Sequence, residues 1–461
     1  MRQSIPQLEY ICCMLYKDTT VAALATPPGR GALAVIRLSG PDALNIAARC
    51  FSGTRSPSEE PGGRVIYGRI TDQEGQDIDD VLLSVFRAPH SFTGEDSVEI
   101  SCHGNPLIAQ KILQRLFQTG AHPAEAGEYS RRAFLNGKLD LAQAEAVADI
   151  IHASSEAALR GARGQLDGLL SAQVGRLREA LLKAGSLLEL ELDFSEEDVE
   201  FVSRVELLAS LEKSAGMLQE LAASYRFGKV VHDGVHVAIA GPPNVGKSSL
   251  LNFFLKEKRA IVSPVPGTTR DLIREEMTID GFLFILSDTA GLRDSDDLIE
   301  QEGVRRSRAI CREADLILFL SDPGSDGTVL EEEIHGLAGD VPVLKVRNKA
   351  DLESGPDGML SVSALTGDGM NVLLERMKEA TLAGWQYSEQ GALVTSLRHR
   401  DALLEASSAL ERAREALESG MSGEFVALDI RSGMDILGEI IGKITTDDML
   451  NAIFSGYCIG K

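Results

Sequence analysis

The sequence predicts a multidomain α+β and α/β protein. An N-terminal mixed domain comes first, and a helical bundle made of two separated stretches surrounds an inserted α/β domain with a mostly parallel sheet. Three observations carry this reading. The chain has 461 residues, which as a soft prior is about three domains. Residues from about 139 to 226, and again after about 385, place apolar side chains every three or four positions in an Ala/Leu/Glu/Arg-rich background, the texture of packed helices. Between them, from 235 to 380, strand-like runs alternate with helical ones, which implies βαβ units.

In chain order, residues 1–17 read as an N-terminal extension without the long apolar core of a signal peptide, and Met14 is an alternative start. Residues 18–125 read as α+β. Strand alternation occurs at 21–26, 32–38, 64–70, 79–86 and 97–102, with helical spacing at 41–50 and 106–117. Residues 126–230 form the first helical part, 231–384 the inserted domain and 385–461 the second helical part. Continuous helical domains on either side of the insert are the competing arrangement. Strands of the insert are expected at 235–240, 282–287, 316–320 and 341–346.

Composition narrows the function. Apolar residues are 44% and charged residues 25%, ordinary usage that argues against wholesale disorder. Basic side chains number 46 against 69 acidic ones, a net charge of −23. An evenly basic nucleic-acid-coating protein is excluded, although a local basic patch is not. No run approaches the roughly 18 apolar residues of a membrane span. The six cysteines are scattered with no CxxC pair, so a zinc ribbon is not expected and a reducing, cytoplasmic setting is.

The run GPPNVGKS (241–248) follows a strand signal and opens a helical one, the context in which GxxxxGK[ST] cradles phosphates. Its backbone N–H groups, with Asn244, Val245, Gly246, Ser248 and Ser249, would face the phosphates. Lys247 would neutralise β/γ-phosphate oxygens and the Ser248 hydroxyl would ligate Mg²⁺. DTAG (Asp288, Thr289, Ala290, Gly291) follows the apolar strand at 282–287, and its aspartate can hold Mg²⁺ through water while Gly291 N–H senses the γ-phosphate. NKAD (Asn348, Lys349, Ala350, Asp351) follows the strand at 341–346. The Asp351 carboxylate accepts two N–H bonds from guanine that adenine cannot supply, so the base is selected by the cost of unpaired groups. Ser363 and Ala364 add a contact to the guanine oxygen. Four pieces in this order point to GTP.

The switch region departs from the Ras pattern. GTTRD (267–271) stands where a first switch belongs, and Thr269 can close over Mg²⁺ and the γ-phosphate. After Gly291, where a water-orienting glutamine is expected, stands Leu292. Another polar residue must act, from Asp294, Asp296, Asp297 and Glu300.

With these residues in view, the chain resembles the MnmE (TrmE) family of bacterial tRNA-modification GTPases from about Asp18 onward. The resemblance is carried by TPPGRGALAVIRLSG (26–40), SFTGED (91–96), CHGN (102–105), AGEYSRRAFLNGKLDLAQAEA (126–146), the GTPase motifs and the terminal CIGK (458–461). It implies an N-terminal folate-binding and dimerising domain, a discontinuous helical domain and an inserted Ras-like G domain. It implies a homodimer working with the flavin-containing partner MnmG (GidA). Together they would place an aminomethyl or carboxymethylaminomethyl group on C5 of the wobble uridine of certain tRNAs. The one-carbon unit would come from a tetrahydrofolate derivative, 5-formyl- or methylene-tetrahydrofolate.

By the same resemblance Glu300 is the catalytic glutamate, and Asn244, Ser263, Val265 and Thr268 hold a K⁺ ion beside the phosphates. Positive charge there would stand where an arginine finger otherwise acts, while Arg270 reads as a surface ion-pair residue. Arg37, Glu99, Lys138 and Lys461 match the folate-binding positions, with Glu99 suited to the pterin edge and Arg37 and Lys138 to the glutamate tail. Cys458 matches a required terminal cysteine; as residues alone, a buried small hydrophobe is the alternative. His103 and His122 read as structural. A ribosome-associated GTPase switch without RNA chemistry is the alternative function; the second phosphate loop or basic RNA-binding domain it would carry is not seen in the sequence.

Overall fold

The structure is a computed structural model, and it describes residues 19–193, 203–257, 274–288, 308–324, 328–353, 359–382 and 391–460. The chain divides into two compact units: Met1–Ala148 with Leu166–Leu187 and Ile430–Lys461, and Asp149–Gln165 with Leu188–Asp429.

The first unit is built on a seven-stranded sheet. Its elements are β1 (Val21–Leu24), β2 (Leu33–Ser39), α1 (Ala43–Cys50), β3 (Phe51–Gly53), β4 (Arg64–Thr71), β5 (Asp77–Phe86), β6 (Ser97–His103), α2 (Pro106–Gln118) and β7 (His122–Pro123). The strand order is β3-β4-β5-β6-β2-β1-β7, antiparallel except for the β1–β7 pair. Alternation decides which face is dry. Ala34, Ile36 and Leu38 of β2 join Val98 and Ile100 of β6 in a core closed by Leu44 and Ile46 of α1 and Ile112 and Leu116 of α2. Each fully buried aliphatic side chain contributes roughly 1.5–3 kcal/mol. Asn105 starts α2 by accepting from Leu107 N–H, with Pro106 at the first helical position, where its missing N–H costs nothing. The opposite faces of β2 and β6 carry Arg37 and Glu99 in direct register.

The helical elements that follow are α3 (Glu128–Leu135), α4 (Leu141–His152), α5 (Glu156–Leu166), α6 (Leu169–Asp193), α7 (Arg204–Ala223) and α8 (Tyr225–Asp233). Within the second unit the α/β body then consists of β8 (Val235–Ala240), α9 (Lys247–Glu257), β9 (Arg274–Ile279), β10 (Phe282–Asp288), β11 (Leu316–Ser321), α10 (Thr328–Ala338), β12 (Val343–Arg347), β13 (Leu360–Ser361) and α11 (Met370–Leu382). The chain continues as α12 (Leu397–Glu418), α13 (Gly423–Ile440) and α14 (Asp447–Phe454). Helix α12 packs along α7, with Gln219 Nε2 donating to Glu411 at 3.0 Å. Helices on the two sequence sides of the α/β body therefore pair, and the bundle is discontinuous rather than two separate helical domains.

The sheet order is β13-β12-β11-β8-β10-β9. All neighbours are parallel except β9, which runs antiparallel to β10. The sequence did not show β9, because REEMTI mixes charge and apolar residues without a clean alternation. Its pairing is set by the two-residue turn Asp280-Gly281, with φ of 50° and 84°, the left-handed pair that a type I′ hairpin needs. Strands β8 and β11 are buried along most of their length, as strands covered on both faces should be.

Candidate functional site

Strand β8 lies between β10 and β11, so the chain leaves its C-terminal end at the point where the strand order reverses, the crevice in which open α/β sheets receive ligands. The loop 241–248 occupies this position. Sterics require its first glycine: a Cβ on Gly241 (φ 146°) would lie 2.2 Å from the Leu320 carbonyl oxygen. Gly246 (φ 94°) is equally constrained, with a Cβ only 2.2 Å from Asn348 Nδ2. Asn244, exposed, takes a left-handed φ of 65°. The buried Lys247 ammonium donates to the carbonyls of Gly241 at 2.8 Å and Pro242 at 2.7 Å, so the cation already lies within the loop. Ser248 Oγ is 3.4 Å from Asp288 Oδ2 at the end of β10. Two hard oxygen donors brought together beside a phosphate-type loop suit Mg²⁺.

Residues 348–351 and 363–365, which the sequence suggests read the base, are tied to the same loop by one side chain. Asn348 is 2% exposed. Its Nδ2 donates to Val245 O at 2.8 Å, and its Oδ1 accepts from Ala364 N–H at 3.1 Å. The asparagine is thus a strut joining 241–248 to 363–365, which leaves base reading to its neighbours. Asp351 is exposed, and its Oδ1 accepts from the buried Ser363 hydroxyl at 2.5 Å. Lys349, with φ 63°, pairs with Asp322 at 2.5 Å. Sequence reasoning missed Asp322; its signal was an acidic residue two positions after the apolar run 316–320, directly after β11. Ser249 is exposed on α9. Thr289, Ala290, Gly291, Leu292, Asp294, Asp296, Asp297, Glu300, Ser263, Val265, Thr268, Thr269 and Arg270 lie outside the described residues, as does Lys461.

In the first unit, Arg37 Nε and Nη2 donate to Glu99 Oε1 at 3.0 and 2.8 Å. The guanidinium carbon lies 5.4 Å from the Phe92 ring centroid and 5.5 Å from that of Tyr129. Tyr129 donates its hydroxyl to Arg37 O at 2.8 Å, and burial pushes its phenol well above the ordinary range. Exposed Lys138 donates to Pro89 O at 3.1 Å, against the segment that carries Phe92. Buried Arg132 fixes that segment: it binds both oxygens of Glu95 at 3.2 Å and Glu128 at 2.8 Å. The structure thus brings Arg37, Glu99 and Lys138 around residues 89–99. It also adds Phe92 and Tyr129, which no spacing rule could find because 37, 92 and 129 meet only through the fold. A planar heterocycle with an anionic tail fits this mixture of ring faces and charges.

Cys458 is exposed. Its neighbour Ile459 bridges Ala126, and a Cβ on Gly460 would lie 2.2 Å from Leu24 O, so the tail runs along the end of β1. His103 pairs with Asp79 at 2.8 Å, an exposed structural contact, and His122 sits in the short β7. Among the described residues no group of three or more His, Cys, Asp or Glu could hold a metal.

Comparison with known proteins gives two family-model matches: the MnmE helical domain over residues 141–458 and the GTP-binding protein TrmE N-terminus over residues 20–138. Curated relatives named tRNA modification GTPase MnmE include one from Chlorobaculum tepidum, 44% identical over 96% of this chain and 97% of its own length. Another, from Chlorobium phaeobacteroides, is 46% identical over 96% and 97%. That of Salinibacter ruber is 45% identical over 96% and 100%. Among solved structures, Era of Aquifex aeolicus bound to GDP.AlF4- is 29% identical, covers 38% of this chain and 65% of its own, and has a TM-score of 0.26.

Proposed function

We propose, from the premise that this chain belongs to the MnmE family of tRNA-modification GTPases, that its GTPase cycle drives C5 (carboxymethyl)aminomethylation of the wobble uridine of certain tRNAs. The chain is a GTP phosphohydrolase; K⁺ stimulation, the flavoprotein partner MnmG and the folate-derived one-carbon unit are our reading. One observation supports it most directly. A continuous set of contacts, Ser248 to Asp288 and Asn348 to both Val245 and Ala364, gathers all four nucleotide motifs at one sheet end.

In this reading Lys247 and the loop N–H groups hold the phosphates, while Ser248 and Thr269 ligate Mg²⁺, which would supply positive charge at the β/γ bridge. Asp351 selects guanine. Asn244 would offer its amide oxygen to K⁺, with Ser263, Val265 and Thr268 completing the set; its exposed position in the loop supports this reading. Glu300 orients the attacking water in place of the absent glutamine. Removing a comparable charge-stabilising group costs about 10²–10³-fold in rate. Replacing K⁺ by Na⁺ is therefore expected to slow turnover strongly; equal rates would remove Asn244 from this role.

The first unit would bind the tetrahydrofolate derivative, whose bound form supplies the one-carbon unit. Glu99 and Arg37 meet the pterin and Lys138 and Lys461 the glutamate tail, with Cys458 on the neighbouring tail. We assign residues 18–125 to this folate-binding and dimerising domain, 126–230 and 385–461 to the helical domain, and 231–384 to the G domain. The assembly is a cytoplasmic homodimer that joins MnmG and tRNA. No helix among the described residues is long and apolar enough to cross a membrane. Nucleoside mass spectrometry of tRNA from cells lacking the chain tests the proposal. Loss of C5-modified wobble uridine is expected, and an unchanged nucleoside profile would overturn it.

A further inference from the structure

The turn between β9 and β10 is held at several points. Gly281 O accepts from Ala157 N–H, in the first turn of α5, at 3.0 Å. Asp280 is ion-paired with Lys378 of α11. Phe282, the first residue of β10, faces Phe227 of α8 with ring centroids 6.1 Å apart. These rings belong to an apolar cluster with Ala157, Val231, Leu382 and Leu393. The chain enters the α/β body through α8 and leaves it near Leu393, and the two passages touch. Val394 N–H donates to Ser224 Oγ at 3.2 Å, and a Cβ on Gly228 would lie 1.9 Å from Val394 O. Entry, exit and hairpin tip therefore share one joint within the second unit.

The far end of this hairpin is where the nucleotide acts. Strand β9 begins three residues after the first-switch sequence 267–271, and β10 ends at Asp288, directly before Thr289–Gly291. The two strands are paired from Arg274↔Ser287 to Ile279↔Phe282. A ladder of six residues spans about 20 Å, and its cross-strand hydrogen bonds make it move as one piece. Strand β10 is also paired in parallel with β8 from Phe284↔Val235 to Asp288↔Ile239, so displacement at the switches reaches the pinned tip along β9, which among the described strands pairs only with β10.

We propose that the β9–β10 hairpin is the lever by which nucleotide state reaches helices α5 and α8, with the Ala157, Phe227 and Lys378 contacts as its coupling joint. This deepens the GTPase reading and rests on it. The tip stays attached through the cycle, so the helices follow the hairpin. A merely structural anchor would hold α5 equally in every nucleotide state.

The test is hydrogen–deuterium exchange on the full chain in K⁺ buffer, with GDP and with GDP plus aluminium fluoride, following amides of 155–166 and 225–233. In the unaltered chain, exchange of 155–166 should differ at least about fivefold between the two states. Phe227→Ala and the milder Lys378→Gln should each reduce that difference to under about twofold while GTP hydrolysis stays within about twofold. Lys378→Gln removes the ion pairs of one half-buried lysine with Asp280 and Glu375, leaves the apolar cluster intact and keeps the test decisive if Phe227→Ala misfolds. A state-independent 155–166 in a chain that hydrolyses GTP would overturn the lever and leave the GTPase reading intact. A full response in folded Lys378→Gln and Phe227→Ala chains would also overturn it. Absence of hydrolysis in the unaltered chain would instead sink the reading beneath it.

Discussion

The two sheets of this molecule present chemistry in opposite ways. In the six-stranded sheet of the second unit, parallel strands end on the same side, and each following loop carries a short run of functional residues to that edge. Residues 241–248 and 348–351 lie directly after β8 and β12, and Asp288 is the last residue of β10. In the seven-stranded sheet, antiparallel strands send their ends both ways, and the charged cluster stands on a face. Arg37 and Glu99 come from adjacent strands, and Phe92, Tyr129 and Lys138 from connections and helix ends. A strand-end site is contiguous in sequence and tolerates little change inside each run. A face site is assembled by register, so its parts are individually ordinary.

The contrast can be broken at its strongest point. Asp351→Asn removes a carboxylate acceptor from the base-selecting run, and rejection of an analogue lacking a matched group reaches about 10⁴-fold. Preference for GTP over xanthosine triphosphate should fall by about that factor in competition binding. Retained guanine selectivity would place base reading elsewhere. Lys247→Ala comes next. Its ammonium lies within the loop on Gly241 and Pro242, and losing it should lower single-turnover GTP hydrolysis by about 10³-fold. A chain that still cleaves GTP near the normal rate would mean that the loop carbonyls, not phosphate, are the true partners of this lysine.

Legibility follows the same divide. The strands at 235–240, 282–287 and 316–320 were readable from apolar runs, because burial on both faces demands them. Strand β9 was not, since as an edge strand it carries exposed Glu276 and half-buried Glu275 ahead of buried Met277 and Ile279, which breaks the apolar run. The phosphate loop was readable because glycine at 241 and 246 is dictated by sterics that any such loop shares. Asn348 was named from its motif, but its part as a strut between Val245 and Ala364 depends on contacts across 103 and 16 residues. Arg37 and Glu99 were reachable only through family resemblance, and nothing in the sequence foretold that they pair with each other. Buried Arg132 shows why: its pair with Glu128 follows from i,i+4 spacing on α3, but its contact with Glu95, 37 residues away, is set by the docking of that helix, which no local pattern records.

Glu99→Gln sharpens the contrast from the other side. The substitution keeps size and polarity but removes the charge that Arg37 binds, freeing that guanidinium between the Phe92 and Tyr129 rings. Affinity for 5-formyl-tetrahydrofolate, measured by calorimetry, should fall about 10–100-fold, the cost of a charge-assisted hydrogen bond of roughly 1.5–3 kcal/mol. GTP hydrolysis by the same chain should be unchanged. A parallel loss of both activities would show that the cluster serves the fold rather than a ligand.

The smallest effect concerns a second assembled contact, at the start of the α/β body. His232 Nδ1 lies 2.6 Å from Asp233 and Nε2 3.2 Å from Asp149, which is 83 residues away in sequence. Hydrogen bonds to Asp149 and then Asp233 push the imidazole up to about 10, and the bond from His232 lowers Asp233. A raised folded-state value means stabilisation that is fully present below the unfolded value near 6.5 and lost as pH rises through about 10. The ring is more than one third exposed, so solvent screening limits the gain to the ~0.2–1 kcal/mol of surface pairs. His232→Gln should therefore melt slightly below the unaltered chain at pH 6, and the gap should close by pH 10. Ring NMR resonances provide the independent check: titration above the ordinary 6.5 supports the bridge, whereas titration near 6.5 would mean that Asp149 and the entering helix α8 are not held together by charge, leaving the apolar contacts of Phe227 and Val231 to fix the helix alone.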